Sequence, residues 1–156
     1  MMKKASDSKP DAHASSRTKV LFVCVGNACR SPIAEAVARY DAADVMQPSS
    51  AGLEPLGSVP QLTKDTLARN GYSANGLTSD ALTHSIYEDA DIVINMTGKP
   101  WGDDFAGHTK VEDWIVEDPY GADPGTYQRV FESIKRRVNQ LAVGLREKRQ
   151  HGMSAK

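Results

Sequence analysis

The run Lys19-Val20-Leu21-Phe22-Val23-Cys24-Val25 is rich in β-branched and aromatic residues and shows no polar alternation. A strand of this kind is buried on both faces, which fits a parallel sheet covered by helices better than an antiparallel sheet wetted on one side. Gly26 and Asn27 end the run, and Ser31-Pro32 opens the next segment. Serine caps helices and proline is tolerated at the first helical position, so a helix is predicted from near Ser31. Ile33, Val37 and Tyr40 share its apolar face, with alanines filling the rest. Strand, tight loop and helix form the first unit.

The pattern then repeats in kind. A second strand is predicted over Val45 to Ala51, a helix over Gln61 to Asn70 closed by Gly71, and another helix over Ser79 to Ala90. Asp91 to Met96 reads as a second well-buried strand, followed by a loop from Thr97 to Gly107. Lys110 to Ile115 is less apolar and suits a sheet edge. From Pro124, Tyr127, Val130, Phe131, Ile134, Val138, Leu141 and Leu145 recur every three or four positions, predicting a long amphipathic helix. The fold class that follows is α/β: a single-domain three-layer sandwich with a central four-stranded parallel sheet and helices on both faces. Its ligand belongs at the carboxyl ends of the strands.

The 156 residues suffice for one domain with its own core. A formal net charge of -1 gives no bulk attraction to nucleic acid or anionic lipid, so neither is an expected partner. No apolar stretch approaches the ~20 residues of a spanning helix. Residues 1–18 lack an apolar run and read as a disordered leader, 19–149 as the folded domain and 150–156 as a flexible tail. Two cysteines within six residues of each other do not make a disulfide scaffold, so a cytoplasmic location is expected.

The loop between the first strand and helix carries chemistry. Cys24-Val25-Gly26-Asn27-Ala28-Cys29-Arg30-Ser31 sets a row of backbone N–H groups at a helix N-terminus, a place that binds anions. Cys24 stands at its mouth, where the helix dipole, Arg30 and the Ser31 hydroxyl all favour an anionic sulfur nucleophile. Arg30 can grip two phosphate oxygens in its planar fork. Taken alone, a cysteine ending an apolar strand is a small buried hydrophobe, and a helix arginine is a solvated residue. The spacing Cys-x5-Arg-Ser between strand and helix reverses both readings. The loop lacks the Gly-Lys-Ser/Thr ending of nucleotide-binding loops, and the cysteines lack a second ligand pair for a metal.

At these residues the chain resembles the low-molecular-weight protein tyrosine phosphatase family, matching Cys-x5-Arg-Ser-Pro throughout VLFVCVGNACRSPIAEA. The resemblance runs on through Ser50-Ala51-Gly52, the Asp91 to Met96 strand and Asp118-Pro119, and so covers roughly residues 19 to 145. It implies hydrolysis of phosphotyrosine, on a protein or a small aryl phosphate, through a phosphocysteine on Cys24. Arg30 and the amides from Val25 to Ser31 would hold the phosphate, and Asn27 would hold the loop's strained shape. No cofactor or metal is expected, since Arg30 and the N–H groups supply the positive potential. A monomer or weak dimer is expected.

Expelling an alkoxide or phenolate requires a proton donor. Asp123-Pro124 begins the last helix and reads as its cap. Asp118-Pro119-Tyr120-Gly121 follows the fourth strand, at the same sheet edge as Cys24, and looks like the family's general-acid motif. Tyr120 either walls the pocket or is a half-buried loop tyrosine. The resemblance also makes Cys29 a redox partner of Cys24, able to close a reversible disulfide; a packed small residue is its other reading. Leu56, in a shortened loop, stands where animal members carry an aromatic wall. Met96-Thr97-Gly98-Lys99 replaces the Met-Asp of many members. Two rivals share the scaffold: arsenate reduction, which related reductases perform with further downstream cysteines absent after Cys29, and a non-catalytic phosphate-binding module.

Overall fold

The computed structural model describes residues 17–102 and 108–154. Most of the leader, and Asp103 to Gly107 of the loop, lie outside them. Strand β1 (Thr18–Cys24) runs parallel to β2 (Met46–Gly52) on one side and to β3 (Ile92–Asn95) on the other. The short β4 (Val111–Asp113) pairs in parallel with β3, giving the order β2-β1-β3-β4. The connecting helices are α1 (Arg30–Asp41), α2 (Gln61–Arg69), α3 (His84–Asp89) and α4 (Pro124–Ser154).

Burial on both faces of β1, expected from its composition, is complete: Val20 to Val23 have no exposed surface. Val20, Phe22 and Cys24 pack with Ile33 and Val37 of α1, Leu67 of α2, and Val130, Phe131, Ile134 and Val138 of α4. Leu21 and Val23 face the other way, onto Val93, Ala51, Tyr87 and Ala90. Each such side chain contributes about 1.5–3 kcal/mol by burial. Helices therefore cover both faces. Because every strand is parallel, the carboxyl ends at Cys24, Asn95 and Asp113 share one edge, and the loops after β1 and β4 meet there.

Some local expectations give way to longer-range contacts. The sheet begins at Thr18, whose N–H donates to Val45 O at 2.8 Å, one position inside the stretch read as leader. The last helix runs to Ser154, into the stretch read as tail. Helix α1 starts at Arg30, not Ser31, and has no side-chain cap, because the Ser31 hydroxyl is engaged in the preceding loop. Ile33 and Val37 are buried, but Tyr40 is 57% exposed and lies edge-on to Tyr72. The helix expected over Ser79 to Ala90 forms only over His84–Asp89, capped by the Thr83 side chain. The residues before it are committed elsewhere. Among the described residues no helix is long and apolar enough to cross a membrane.

Candidate active site

The loop after β1 is built by a chain of oriented hydrogen bonds. Asn27 adopts a left-handed backbone (φ 46°), which asparagine tolerates better than most residues. The Asp80 N–H donates to Asn27 Oδ1 at 2.7 Å, which leaves Asn27 Nδ2 as a donor to Ser31 Oγ at 2.8 Å. The Ser31 hydroxyl hydrogen is thereby free to point at Cys24 Sγ, 3.0 Å away. The Ser31 N–H also donates to that sulfur at 3.5 Å. Two donors thus converge on one buried sulfur, an arrangement that stabilises negative charge there.

Arg30 is 5% exposed, so its donors need partners. Its Nη1 donates to Val116 O at 3.2 Å, and its Nη2 lies 3.4 Å from Asp118 Oδ2. The Nε is buried with no hydrogen-bond partner. One cleft is lined by Cys24, Val25, Gly26, Ala28, Cys29, Arg30, Glu54, Leu56, Asp118 and Tyr120. The structure brings together the predicted nucleophile, arginine, acid and both wall residues. Asp118 is half exposed, while Leu56 and Tyr120 are exposed at the rim. Asp123 caps α4 as expected, accepting from the Thr126 N–H at 2.9 Å, and its interactions with the Thr126 side chain and then with that N–H hold its carboxyl below the usual range.

Sequence reasoning missed the residues that brace this loop from outside. Ser79 donates its hydroxyl to Gly26 O at 2.9 Å and accepts from the Gly57 N–H at 3.1 Å. Gly52, at the end of β2, passes so close that a Cβ there would lie 2.7 Å from Asn27 N and 2.8 Å from Val25 O. On the far side, Thr63 donates to Ala28 O at 2.9 Å, and Cys29 Sγ lies 3.3 Å from the buried Tyr127 hydroxyl. Burial pushes the Cys29 thiol up, outweighing its hydrogen bonds to Tyr127 and Thr63. Both cysteines are free thiols. Among the described residues, no group of three His, Cys, Asp or Glu side chains converges as a metal site.

The sequence profile of the low molecular weight phosphotyrosine protein phosphatase family matches residues 19–151. The chain belongs to that family. Within it, an arsenate reductase from Bacillus licheniformis is 33% identical over 141 residues, covering 81% of this chain and 96% of the relative. A solved arsenate reductase in its phosphate-binding state is 31% identical, with a TM-score of 0.73 over 82% of this chain and 98% of that one. The YwlE arginine phosphatase, solved with a phosphorylated active-site serine, is 25% identical, with a TM-score of 0.73 over 85% of this chain and 98% of that one. The family thus includes phosphatases and arsenate reductases on one scaffold. In this member residues of both the loop after β1 and the Asp118 loop line the same cleft.

Proposed function

We propose that the chain is a phosphatase that hydrolyses aryl phosphate monoesters, phosphotyrosine among them, through a phosphocysteine on Cys24. The observation that carries this is the meeting of Cys24, the unpaired Nε of Arg30 and Asp118 in one cleft. A bound phosphate takes Nε and Nη2 of Arg30 with the loop amides, a preorganised oxyanion site. It displaces the long Arg30–Asp118 contact and frees the Asp118 carboxyl. Cys24 Sγ then attacks phosphorus, forming the S–P bond as the P–O bond breaks, and Asp118 gives its proton to the leaving oxygen. In the second half Asp118 takes a proton from water, the water oxygen bonds to phosphorus, and the S–P bond breaks. Ser31 Oγ and N, aimed at the sulfur, stabilise it as leaving group.

Arsenate reduction is the second reading, favoured by the names of relatives at 30% identity or more. There Cys24 would bond to As(V), and a second thiol would attack that sulfur, leaving one disulfide and As(III). Cys29 is the only other cysteine in the chain, and its burial makes it a sluggish thiolate source. A general acid is also more useful for expelling an ester oxygen. The reading is tested with an aryl phosphate and wild type, Cys24→Ser and Asp118→Asn, with arsenite production followed in parallel under a thiol reductant. Turnover by wild type, none by Cys24→Ser, and at least a ~100-fold loss in Asp118→Asn are expected. Arsenite formation without ester hydrolysis would install the second reading instead.

A further inference from the structure

We propose that Glu54 is a specificity-determining residue that favours substrates carrying a positive charge beside the phosphorylated side chain. This rests on the phosphatase reading of the cleft. The segment bearing Glu54 is laced to the phosphate loop: Leu53 N donates to Cys24 O at 3.2 Å, Glu54 N to Val25 O at 2.8 Å, and Leu56 N to Gly26 O at 2.9 Å. Pro55 follows and restricts the Glu54 backbone to extended conformations. The Glu54 backbone is therefore fixed relative to the bound phosphate.

Three charged side chains line the cleft: Arg30, Glu54 and Asp118. Arg30 and Asp118 serve the phosphate and the leaving oxygen. The exposed Glu54 carboxylate has no hydrogen-bond or ion-pair partner among the described residues, which leaves it as the charge that the rest of the substrate meets. Leu56 (48% exposed) and Tyr120 (59% exposed) offer apolar surface beside it, suited to the flat faces of an aryl leaving group. An aromatic ring between such walls brings the residues flanking a phosphotyrosine to the rim. Lysine or arginine there gains an ion pair, and glutamate or aspartate meets a like charge.

Because the pair is exposed, the effect is modest and sensitive to salt. Phosphotyrosine peptides flanked by lysines or by glutamates are compared by kcat/KM at low and at ~1 M salt, with a neutral aryl phosphate as the measure of turnover itself. Wild type should prefer the lysine peptide by about three-fold beyond the bias of Glu54→Gln, and high salt should erase that difference. Glu54→Lys should invert the preference. The readout is the ratio between peptides, which a general loss of folding does not produce. An unchanged ratio in Glu54→Gln, with neutral aryl phosphate still hydrolysed, overturns the proposal and leaves the phosphatase reading standing. If wild type hydrolyses nothing, affinities of the same peptides for wild type and Glu54→Gln give the same ratio. Equal affinities, or no binding at all, overturn the proposal too.

Discussion

Replacing Gly52 with alanine places a methyl group against the back of the loop after β1. Its Cβ would lie 2.7 Å from Asn27 N, 2.8 Å from Val25 O and 2.9 Å from Asn27 Cβ, where ordinary contacts begin near 3.4 Å. Each contact is short by about half an ångström or more. None of these atoms is the end of a flexible side chain. Gly52 cannot retreat, because its N–H donates to Asp80 O and its carbonyl accepts from the Leu82 N–H, both at 2.8 Å. The loop must move, carrying Asn27 away from Ser31 and the amides away from the phosphate. Overpacking of this kind costs about 1–3 kcal/mol, a fall in Tm of about 2–4 °C for each kcal/mol in a domain of this size. Misplacing the loop by half an ångström should lower kcat/KM by about ten-fold or more. Thermal melts and steady-state rates on an aryl phosphate measure both. Gly144→Ala is the control: its Cβ meets nothing within 4 Å, and within α4 it should stabilise by about 0.5–1 kcal/mol. A Gly52→Ala protein with wild-type Tm and kcat/KM would refute the claim that this close approach shapes the site.

Two further outcomes follow from buried acidic hydrogens. Burial, reinforced by the Asp41 carboxylate 2.7 Å away, pushes the Tyr72 hydroxyl up, and burial does the same to Tyr127 and Cys29. In the unfolded chain these groups titrate near their ordinary values of 9.0 for cysteine and 10.0 for tyrosine, while the fold keeps them neutral. Their stabilising contribution is complete below pH ~9 and is lost as pH rises beyond it. Tm should therefore fall at alkaline pH, and less steeply in Tyr72→Phe; equal slopes would contradict this. Iodoacetamide at neutral pH should modify Cys24 well before Cys29, with phosphate protecting Cys24, and peptide mapping reads the order. Faster labelling of Cys29 would contradict the argument that its thiol is held protonated.

The first strand and the loop after it were legible because their signals are local. Six consecutive apolar residues, Val20 to Val25, declare β1, and Cys24, Arg30 and Ser31 lie in or beside the loop that follows it. The place of Asp118 beside Cys24 was legible because a parallel sheet sends the ends of β1 and β4 to the same edge, while its reading as an acid came from the resemblance of Asp118-Pro119 to the family motif. The bracing was not legible. Ser79 and Asp80 bond to Gly26 and Asn27 across 53 positions of sequence, and nothing near them advertises that role. The same commitment explains why the helix expected from Ser79 starts only at His84. Ser31 carries a cap-like signature, yet its hydroxyl serves Cys24, so a tertiary demand overrode a sound local preference. The Cys29–Tyr127 contact likewise joins elements 98 positions apart.

The central claim is that phosphate passes through a covalent bond to Cys24. Asp118→Asn should still be phosphorylated by an aryl phosphate with a good leaving group but should hydrolyse the intermediate slowly, so that it accumulates. Acid quenching followed by phosphorus NMR and peptide mass analysis should find phosphorus on Cys24 and none in the Cys24→Ala, Asp118→Asn protein. Turnover with no phosphorylated Cys24, or with phosphorus on another side chain, would contradict the account.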